Sequence, residues 1–151
     1  MEYKITLRDE SETIELAENM ESEKFANMVI CLNGDLGSGK TVFAKGFASA
    51  LGIDEVITSP TYNIVKEYYS GEMPLFHMDV YRLDETDVMI DFSEYFVKKG
   101  VSIIEWSDMI KDELPDERLE INFKIIGEDT RLVIIKPIGK RYEDLCEAVL
   151  W

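Results

Sequence analysis

Between residues 34 and 41 the chain reads Gly34-Asp35-Leu36-Gly37-Ser38-Gly39-Lys40-Thr41, which matches the pattern G-x-x-x-x-G-K-[ST] at every fixed position. In this pattern the glycines let successive backbone N–H groups turn inward around an anion. The lysine reaches the outer phosphates of a nucleotide, and the next hydroxyl completes a Mg²⁺ shell. The stretch therefore predicts a phosphate-binding loop rather than an ordinary glycine-rich turn.

The residues on either side of this loop strengthen that interpretation. Residues 28–33 form a nearly continuous apolar run, as expected for a strand buried on both faces of a parallel sheet. After the loop, Phe43, Phe47 and Leu51 recur at helical spacing, and Gly52 ends the predicted helix. A strand, a glycine-rich loop and a helix follow one another in this order, so the positive end of the helix would point at the bound phosphates.

The rest of the pattern predicts a three-layer α/β domain of the P-loop NTPase type, with a mixed, mainly parallel sheet and a C-terminal antiparallel hairpin. Ser11 is the expected N-cap of a first helix. Further helices are predicted over 84–90, 93–99 and 142–151, and strands over 3–8, 56–58, 64–69, 74–80, 101–105, 119–125 and 132–135.

Length and composition limit the classes of protein that the chain can represent. Its 151 residues predict a single domain over 1–151, and the formal charge of −15 argues against tight binding of nucleic acid by this chain alone. No run approaches the roughly 20 apolar residues that a membrane span needs. The two cysteines have no metal-ligand spacing, and a cytoplasmic location is expected.

Two acids occupy positions where a P-loop enzyme places its catalytic carboxylates. Asp79 lies near the end of the strand over 74–80, and Glu105 ends the strand over 101–105. Either can hold Mg²⁺ or orient an attacking water, and the sequence leaves the two roles unassigned. The alternative readings are a solvated strand end or helix cap for Asp79 and a structural glutamate for Glu105.

Four further positions are candidates whose structural alternatives stay open. Thr61 lies in the turn Ser59-Pro60-Thr61-Tyr62, where a hydroxyl can sense a terminal phosphate, although the segment is also typical of a plain turn. Arg82 can stabilise transferred charge or lie on the surface, and Trp106 can cover a nucleotide or pack on the sheet edge. His77, the single histidine of the chain, is by itself more typical of a strand core than of a catalytic base.

Taken together, the segments resemble the TsaE (YjeE) family of bacterial ATPases. The resemblance rests on the order and spacing of four stretches: Gly34–Thr41, Ser59-Pro60-Thr61-Tyr62, His77-Met78-Asp79-Val80-Tyr81-Arg82-Leu83 and Ile104-Glu105-Trp106. The phosphate loop alone fits many families, whereas its combination with the other three stretches is far more specific.

This resemblance implies an ATPase that uses Mg²⁺, hydrolyses ATP slowly and associates with a TsaB–TsaD heterodimer. Its role would be to support repeated formation of N6-threonylcarbamoyladenosine at position 37 of tRNA. Asp79 and Glu105 match the family's essential acids, Thr41 its metal-side hydroxyl, Thr61 its switch threonine and Trp106 the tryptophan beside the acid.

The resemblance also bears on the residues around the nucleotide. It places Thr13 and Arg131 near the adenine. Val42 replaces a threonine that is usual in the family, so a hydroxyl contact is lost while the backbone N–H of Val42 remains available to the nucleotide.

Other classes of function stay open at this point. A small-molecule kinase would need several arginines to hold a second phosphorylated substrate, and Arg82 is the single arginine between Arg8 and Arg118. A non-catalytic scaffold would retain ATP for folding or docking alone. A GTPase is disfavoured because the chain has no Asn-Lys-x-Asp sequence to read guanine.

Overall fold

A computed structural model describes residues 1–58, 60, 64–83 and 89–150. Within these residues there are two 3-10 helices, Phe92–Val97 and Ser107–Glu113. The α-helices and strands, in chain order, are β1 (Tyr3–Leu7), α1 (Glu10–Ser22), β2 (Met28–Gly34), α2 (Lys40–Leu51), β3 (Val65–Tyr68), β4 (Leu75–Asp79), β5 (Val101–Glu105), β6 (Arg118–Ile125), β7 (Arg131–Ile138) and α3 (Lys140–Val149).

All of these strands belong to one mixed sheet in the order β1-β7-β6-β2-β5-β4-β3. The four central strands, β6, β2, β5 and β4, run parallel, whereas β7 is antiparallel to β6 and the edge strands β1 and β3 are antiparallel to their neighbours. The predicted mixed α/β fold with a C-terminal hairpin is therefore confirmed. This order puts the carboxyl ends of β2, β4 and β5 at one edge of the sheet, where α/β proteins bind ligands.

Strand β2 lies at the centre of the sheet because its apolar run is buried on both faces. On one face the core joins residues of α1, α2 and α3 to alternate residues of the strands, among them Leu75 and Ile103. On the other face a smaller core includes Phe76 and Ile104, together with Phe92 and Ile110 of the two 3-10 helices. The strand period of two thus puts His77 and Asp79 on the face that carries α2.

The first helix is capped by a different residue from the one expected. Asp9 is the N-cap, since its side chain accepts a hydrogen bond from the Glu12 N–H at 3.1 Å, and Ser11 lies inside the first turn. The prediction of Ser11 was wrong by two residues. An ionised aspartate is a strong acceptor at the positive end of a helix, so Asp9 is preferred to the serine beside it.

Other local predictions differ from the structure in ways that packing explains. No strand forms over 56–58, where Val56 is 84% exposed and no neighbouring strand is paired with it. The helix expected over 93–99 is a 3-10 helix that begins at Phe92. Of the helix expected over 84–90, residues 84–88 lie outside the described residues, and 89–90 are not helical. Across the described part of the chain, no helix combines the length and apolar character needed to cross a bilayer.

Candidate functional site

The predicted phosphate loop connects the end of β2 to the start of α2. Gly37 and Gly39 have φ of +78° and +116°, a region that side-chain-bearing residues rarely adopt. Gly34 has φ of +149° and lies so close to β6 that an added Cβ would be 2.7 Å from the Phe123 carbonyl oxygen. The sequence thus forms a tight concave loop in front of the first turn of α2, whose N–H groups have no partners within the helix.

In this structure the side chain of Lys40 folds back onto its own loop. Its ammonium donates to the carbonyl oxygens of Gly34 and of Asp35, the latter at 3.1 Å, and lies 4.1 Å from the ring centroid of Trp106. Burial lowers the pKa of Lys40, while the nearby carboxylates of Glu105 and Asp79 act in the opposite direction. The side chain is therefore a poorly hydrated cation held next to the concave loop.

The hydroxyl that follows Lys40 is joined to one of the two predicted acids. Thr41 Oγ1 donates to Glu105 Oε1 at 2.9 Å, and the other carboxylate oxygen, Oε2, lies 2.6 Å from Nε2 of His77. Glu105 is 2% exposed and His77 is fully buried. Since β5 lies between β2 and β4, three residues that are far apart in sequence form one chain of hydrogen bonds across the sheet edge.

Asp79 and Trp106 flank this chain of hydrogen bonds. Asp79 is the register partner of Glu105 and accepts a hydrogen bond from the Tyr81 N–H at 3.1 Å. Trp106 follows β5 with a left-handed backbone, φ 62° and ψ 38°. Its backbone N–H donates to the Leu32 carbonyl at 2.8 Å. A left-handed tryptophan is strained, and strain of this kind is concentrated at functional sites.

One side of a pocket of about 240 Å³ is lined by Lys40, Thr41, Asp79, Glu105 and Trp106. On the other side Thr13 contributes from α1, and Arg131 projects from the β6–β7 hairpin. The Arg131 guanidinium donates to the Gly37 carbonyl at 3.2 Å and to three carbonyls of its own hairpin turn, so it links the hairpin to the loop. The full lining is Asp9, Glu10, Thr13, Leu36, Gly37, Ser38, Gly39, Lys40, Thr41, Val42, Asp79, Glu105, Trp106, Asp129 and Arg131.

Most of the site residues predicted from the sequence thus line this pocket. Gly34 and Asp35 do not line it, but their carbonyl oxygens accept the hydrogen bonds of Lys40. Arg82 is exposed and does not line this pocket among the described residues. Thr61 lies outside the described residues.

Three lining acids were not anticipated from the sequence: Asp9, Glu10 and Asp129. An N-cap analysis that compared Asp9 with Ser11 would have identified Asp9 as the cap of α1, although it would not have indicated that Asp9 and Glu10 line the pocket. Asp129 lies in a hairpin turn, and no sequence signal connects that turn to the loop.

The charges around the pocket are predominantly negative. Five lining residues carry carboxylates and two, Lys40 and Arg131, carry cations. Within the described residues, no group of three or more His, Cys, Asp or Glu side chains could hold a metal ion. A polyphosphate would therefore meet a repulsive field unless a divalent cation accompanied it, and that cation would need oxygens of the ligand to complete its shell.

Ser38 gives a second indication that the loop fits an anion. Its hydroxyl is buried and has no hydrogen-bond partner among the described residues. A buried hydroxyl without a partner is costly, and a bound anion or an ordered water would satisfy it.

Comparisons with known proteins agree with the sequence pattern and the fold. A family model described as "Threonylcarbamoyl adenosine biosynthesis protein TsaE" matches residues 7–133. A Bacillus subtilis protein named tRNA threonylcarbamoyladenosine biosynthesis protein TsaE is 49% identical over 119 residues, which cover 79% of this chain and 75% of that protein. A Treponema pallidum protein of the same name is 38% identical over 109 residues, or 71% of this chain and 80% of that protein. The crystal structure of Bacillus subtilis YdiB superposes with a TM-score of 0.87 at 40% identity, covering 99% of this chain and 94% of that one.

Proposed function

This chain belongs to the TsaE family, and from that premise we propose that it is a Mg²⁺-dependent ATPase that supports threonylcarbamoyladenosine formation in tRNA. The main observation in support of the proposed ATPase activity is the 2.9 Å hydrogen bond from the Thr41 hydroxyl to Glu105 beside the concave loop. A hydroxyl and a carboxylate next to a phosphate loop are the protein ligands that P-loop enzymes offer to Mg²⁺.

The phosphates of ATP would be bound mainly by backbone groups. The loop from Gly37 to Gly39 and the first turn of α2, including the Val42 N–H, direct donors and the positive helix end toward one point. Because backbone N–H groups carry no net charge, they bind phosphate without adding a buried cation. The side chain of Val42 adds no donor, so its contribution would be limited to the backbone.

Lys40 would change partners when nucleotide binds. Its ammonium donates in this structure to the carbonyls of Gly34 and Asp35, which are neutral acceptors. Phosphate oxygens are charged acceptors and make stronger hydrogen bonds with an ammonium. The side chain would therefore leave the loop carbonyls and the Trp106 face for the outer phosphates.

The two acids would divide the chemistry. Glu105, hydrogen-bonded to Thr41, is the better candidate for the metal side, and Asp79 for the orientation of the attacking water. When bound, Mg²⁺ would neutralise phosphate charge that the five pocket carboxylates otherwise repel. Thr61 remains the proposed switch residue that senses the terminal phosphate.

The proposed partner is a TsaB–TsaD heterodimer, with the protein acting in the cytoplasm. The net charge of −15 supports a division of labour in which the partners contact tRNA, since a chain this acidic is repelled by a phosphate backbone. Hydrolysis would alter the segment that contains Asp79 and Arg82, and with it the surface offered to the partners.

Nucleotide binding tests the first half of this proposal. Calorimetric titration with ATP and Mg²⁺ should give saturable binding that Lys40→Ala abolishes. Lys45→Ala is the matched control and should leave the affinity unchanged, because Lys45 is an exposed lysine five residues further along the same helix. Binding that survives Lys40→Ala, or absent binding by the folded wild-type protein, would contradict the proposal.

A reconstituted modification assay tests the second half. Adding the wild-type protein to the TsaB–TsaD pair, tRNA and the threonylcarbamoyl donor should convert limited modification into repeated turnover. Asp79→Asn and Glu105→Gln should each remove that gain together with ATP hydrolysis. If both variants support full turnover, the protein is better described as a nucleotide-bound scaffold.

A further inference from the structure

His77 is a buried polar residue that has no role in the ATPase mechanism proposed above. It lies in the middle of β4, on the same face of the sheet as Asp79, and is fully buried. Its one hydrogen bond among the described residues joins Nε2 to Glu105 Oε2 at 2.6 Å, and its Nδ1 is buried without a partner there. An apolar side chain would fill this position without leaving a ring nitrogen unsatisfied, so filling space does not account for a histidine here.

The bond to Glu105 is diagonal across the strand pair. The register partner of His77 is Ile103, and Glu105 lies two residues further along β5. The imidazole therefore has to extend toward the carboxyl end of the strands, where the loop lies. When Glu105 is ionised it can only accept hydrogen bonds, and Nε2 of His77 is then the donor.

The consequence is a carboxylate held at both of its oxygens. His77 binds Oε2 from the strand side, and Thr41 binds Oε1 from the helix side. With both oxygens engaged, rotation of the carboxylate plane would break a hydrogen bond, so Oε1 stays directed at Thr41 in the first turn of α2. Residues that orient a ligand in this way are important for metal affinity, and their removal typically costs 10- to 100-fold.

We propose that His77 is a positioning residue that orients Glu105 toward Thr41 and thereby sets the contribution of Mg²⁺ to nucleotide affinity. This inference rests on the proposed function, because it assumes that Glu105 faces a metal-bound nucleotide. His77 itself contacts neither the nucleotide nor the reacting atoms. It acts through the oxygen of Glu105 that it holds.

The test compares variants that keep or lose the donor to Glu105. Gln reaches with its side-chain amide about as far as Nε2 of histidine does, whereas Met has similar length and no donor. ADP affinity is measured by calorimetry for each protein, once with Mg²⁺ and once with EDTA. For His77→Met, the enhancement of affinity by Mg²⁺ should fall about tenfold or more, while the affinity in EDTA stays within about twofold of wild type. His77→Gln should retain the enhancement.

A double-mutant comparison separates positioning from general damage. In a Glu105→Gln background, His77→Met should cause no further loss of the Mg²⁺ enhancement, because the group that His77 orients is already altered. Equal losses in Mg²⁺ and in EDTA, or independent losses from the two substitutions, would overturn the inference. If His77→Met does not fold, His77→Asn replaces it, since its amide is too short to reach Glu105; identical behaviour of the Asn and Gln variants would then overturn the inference.

The outcomes also distinguish this inference from the proposed function. A wild-type protein that binds neither ADP nor ATP under either condition refutes both. A wild-type protein whose affinity rises with Mg²⁺, together with a His77→Met variant whose affinity rises equally, refutes the positioning role alone.

Discussion

Gly34→Ala should destabilise the protein strongly, although it adds a single methyl group. The added Cβ would lie 2.6 Å from Ser38 Oγ, 2.7 Å from the Phe123 carbonyl oxygen and 3.0 Å from Phe123 Cβ. The hydroxyl of Ser38 can rotate away, but the carbonyl belongs to β6, which is hydrogen-bonded to its neighbours on both sides. The contact with Phe123 can therefore be relieved only by moving a strand or the loop.

The magnitude follows from two separate costs. A backbone φ of +149° is strained for alanine, which costs about 1–3 kcal/mol, and overpacking against a fixed strand costs about 1–3 kcal/mol more. We expect the free energy of unfolding to fall by about 4 kcal/mol, a large part of the stability of a domain of this size. Urea denaturation followed by circular dichroism measures the change, with an unaltered dependence on denaturant as the sign that two-state unfolding is preserved.

Gly37→Ala is the matched control in the same loop. Gly37 also has a positive φ, +78°, but a Cβ there would meet nothing within 4 Å. The free energy of unfolding of Gly37→Ala should therefore fall only by the cost of placing an alanine in the left-handed region, about 1–2 kcal/mol. If the two variants differ by less than about 1 kcal/mol, the close approach of the loop to β6 is not what requires glycine at position 34.

Three further predictions concern buried groups. Lys40→Met should remove nucleotide binding without lowering the free energy of unfolding of the nucleotide-free protein in urea denaturation, because burial lowers the pKa of Lys40 and relief of its buried charge offsets the lost hydrogen bonds to Gly34 and Asp35; a fall of more than about 1 kcal/mol, the size of one hydrogen bond, would contradict this. Tyr142→Phe should lower the free energy of unfolding by about 1–3 kcal/mol, since its hydroxyl accepts the buried Val29 N–H at 2.9 Å; a change below 0.5 kcal/mol would show that water replaces it. Burial raises the pKa of Cys31 to about 12 and that of Cys146 to about 11, so thiol reagents at pH 8 should label neither until the protein unfolds. The unfolded thiols ionise near pH 9 and the folded ones do not, so the free energy of unfolding should fall as the pH rises above about 9. This fall should be smaller for Cys31→Ala. If the difference in stability between that variant and wild type does not change with pH, the pKa of the Cys31 thiol is not raised by folding.

The local elements of the fold could be predicted well because each depends on neighbours in sequence. The strand, loop and helix around Gly34–Thr41 and the β6–β7 hairpin follow from periodicity and glycine placement, and both are present. The errors lie where two neighbouring residues are both suitable for one role, or where the presence of a neighbouring strand determines whether a segment becomes a strand. Asp9 and Ser11 are both good N-caps, and residues 56–58 have strand-forming side chains but no neighbouring strand.

The candidate site was anticipated residue by residue but not as an arrangement. Its phosphate loop, Thr41, Asp79 and Glu105 are marked by their spacing to buried strands, whereas Asp129 is not marked by any motif. From the sequence, His77 is more typical of a strand core, because a single histidine in a strand carries no sign of its partner. Its alternation with Asp79 indicated the correct face of β4 and nothing about which strand lay beside it.

By itself the sequence determined a glycine loop between a buried strand and a helix, since backbone freedom and hydrophobic period are encoded by adjacent residues. Only the tertiary structure decided that β5 lies between β2 and β4, because strand order depends on which buried surfaces pack together over long separations. That order brings Thr41, His77 and Glu105 into one line of hydrogen bonds. The chemistry of this site therefore depends on pairing between strands, a physical interaction that no local pattern encodes.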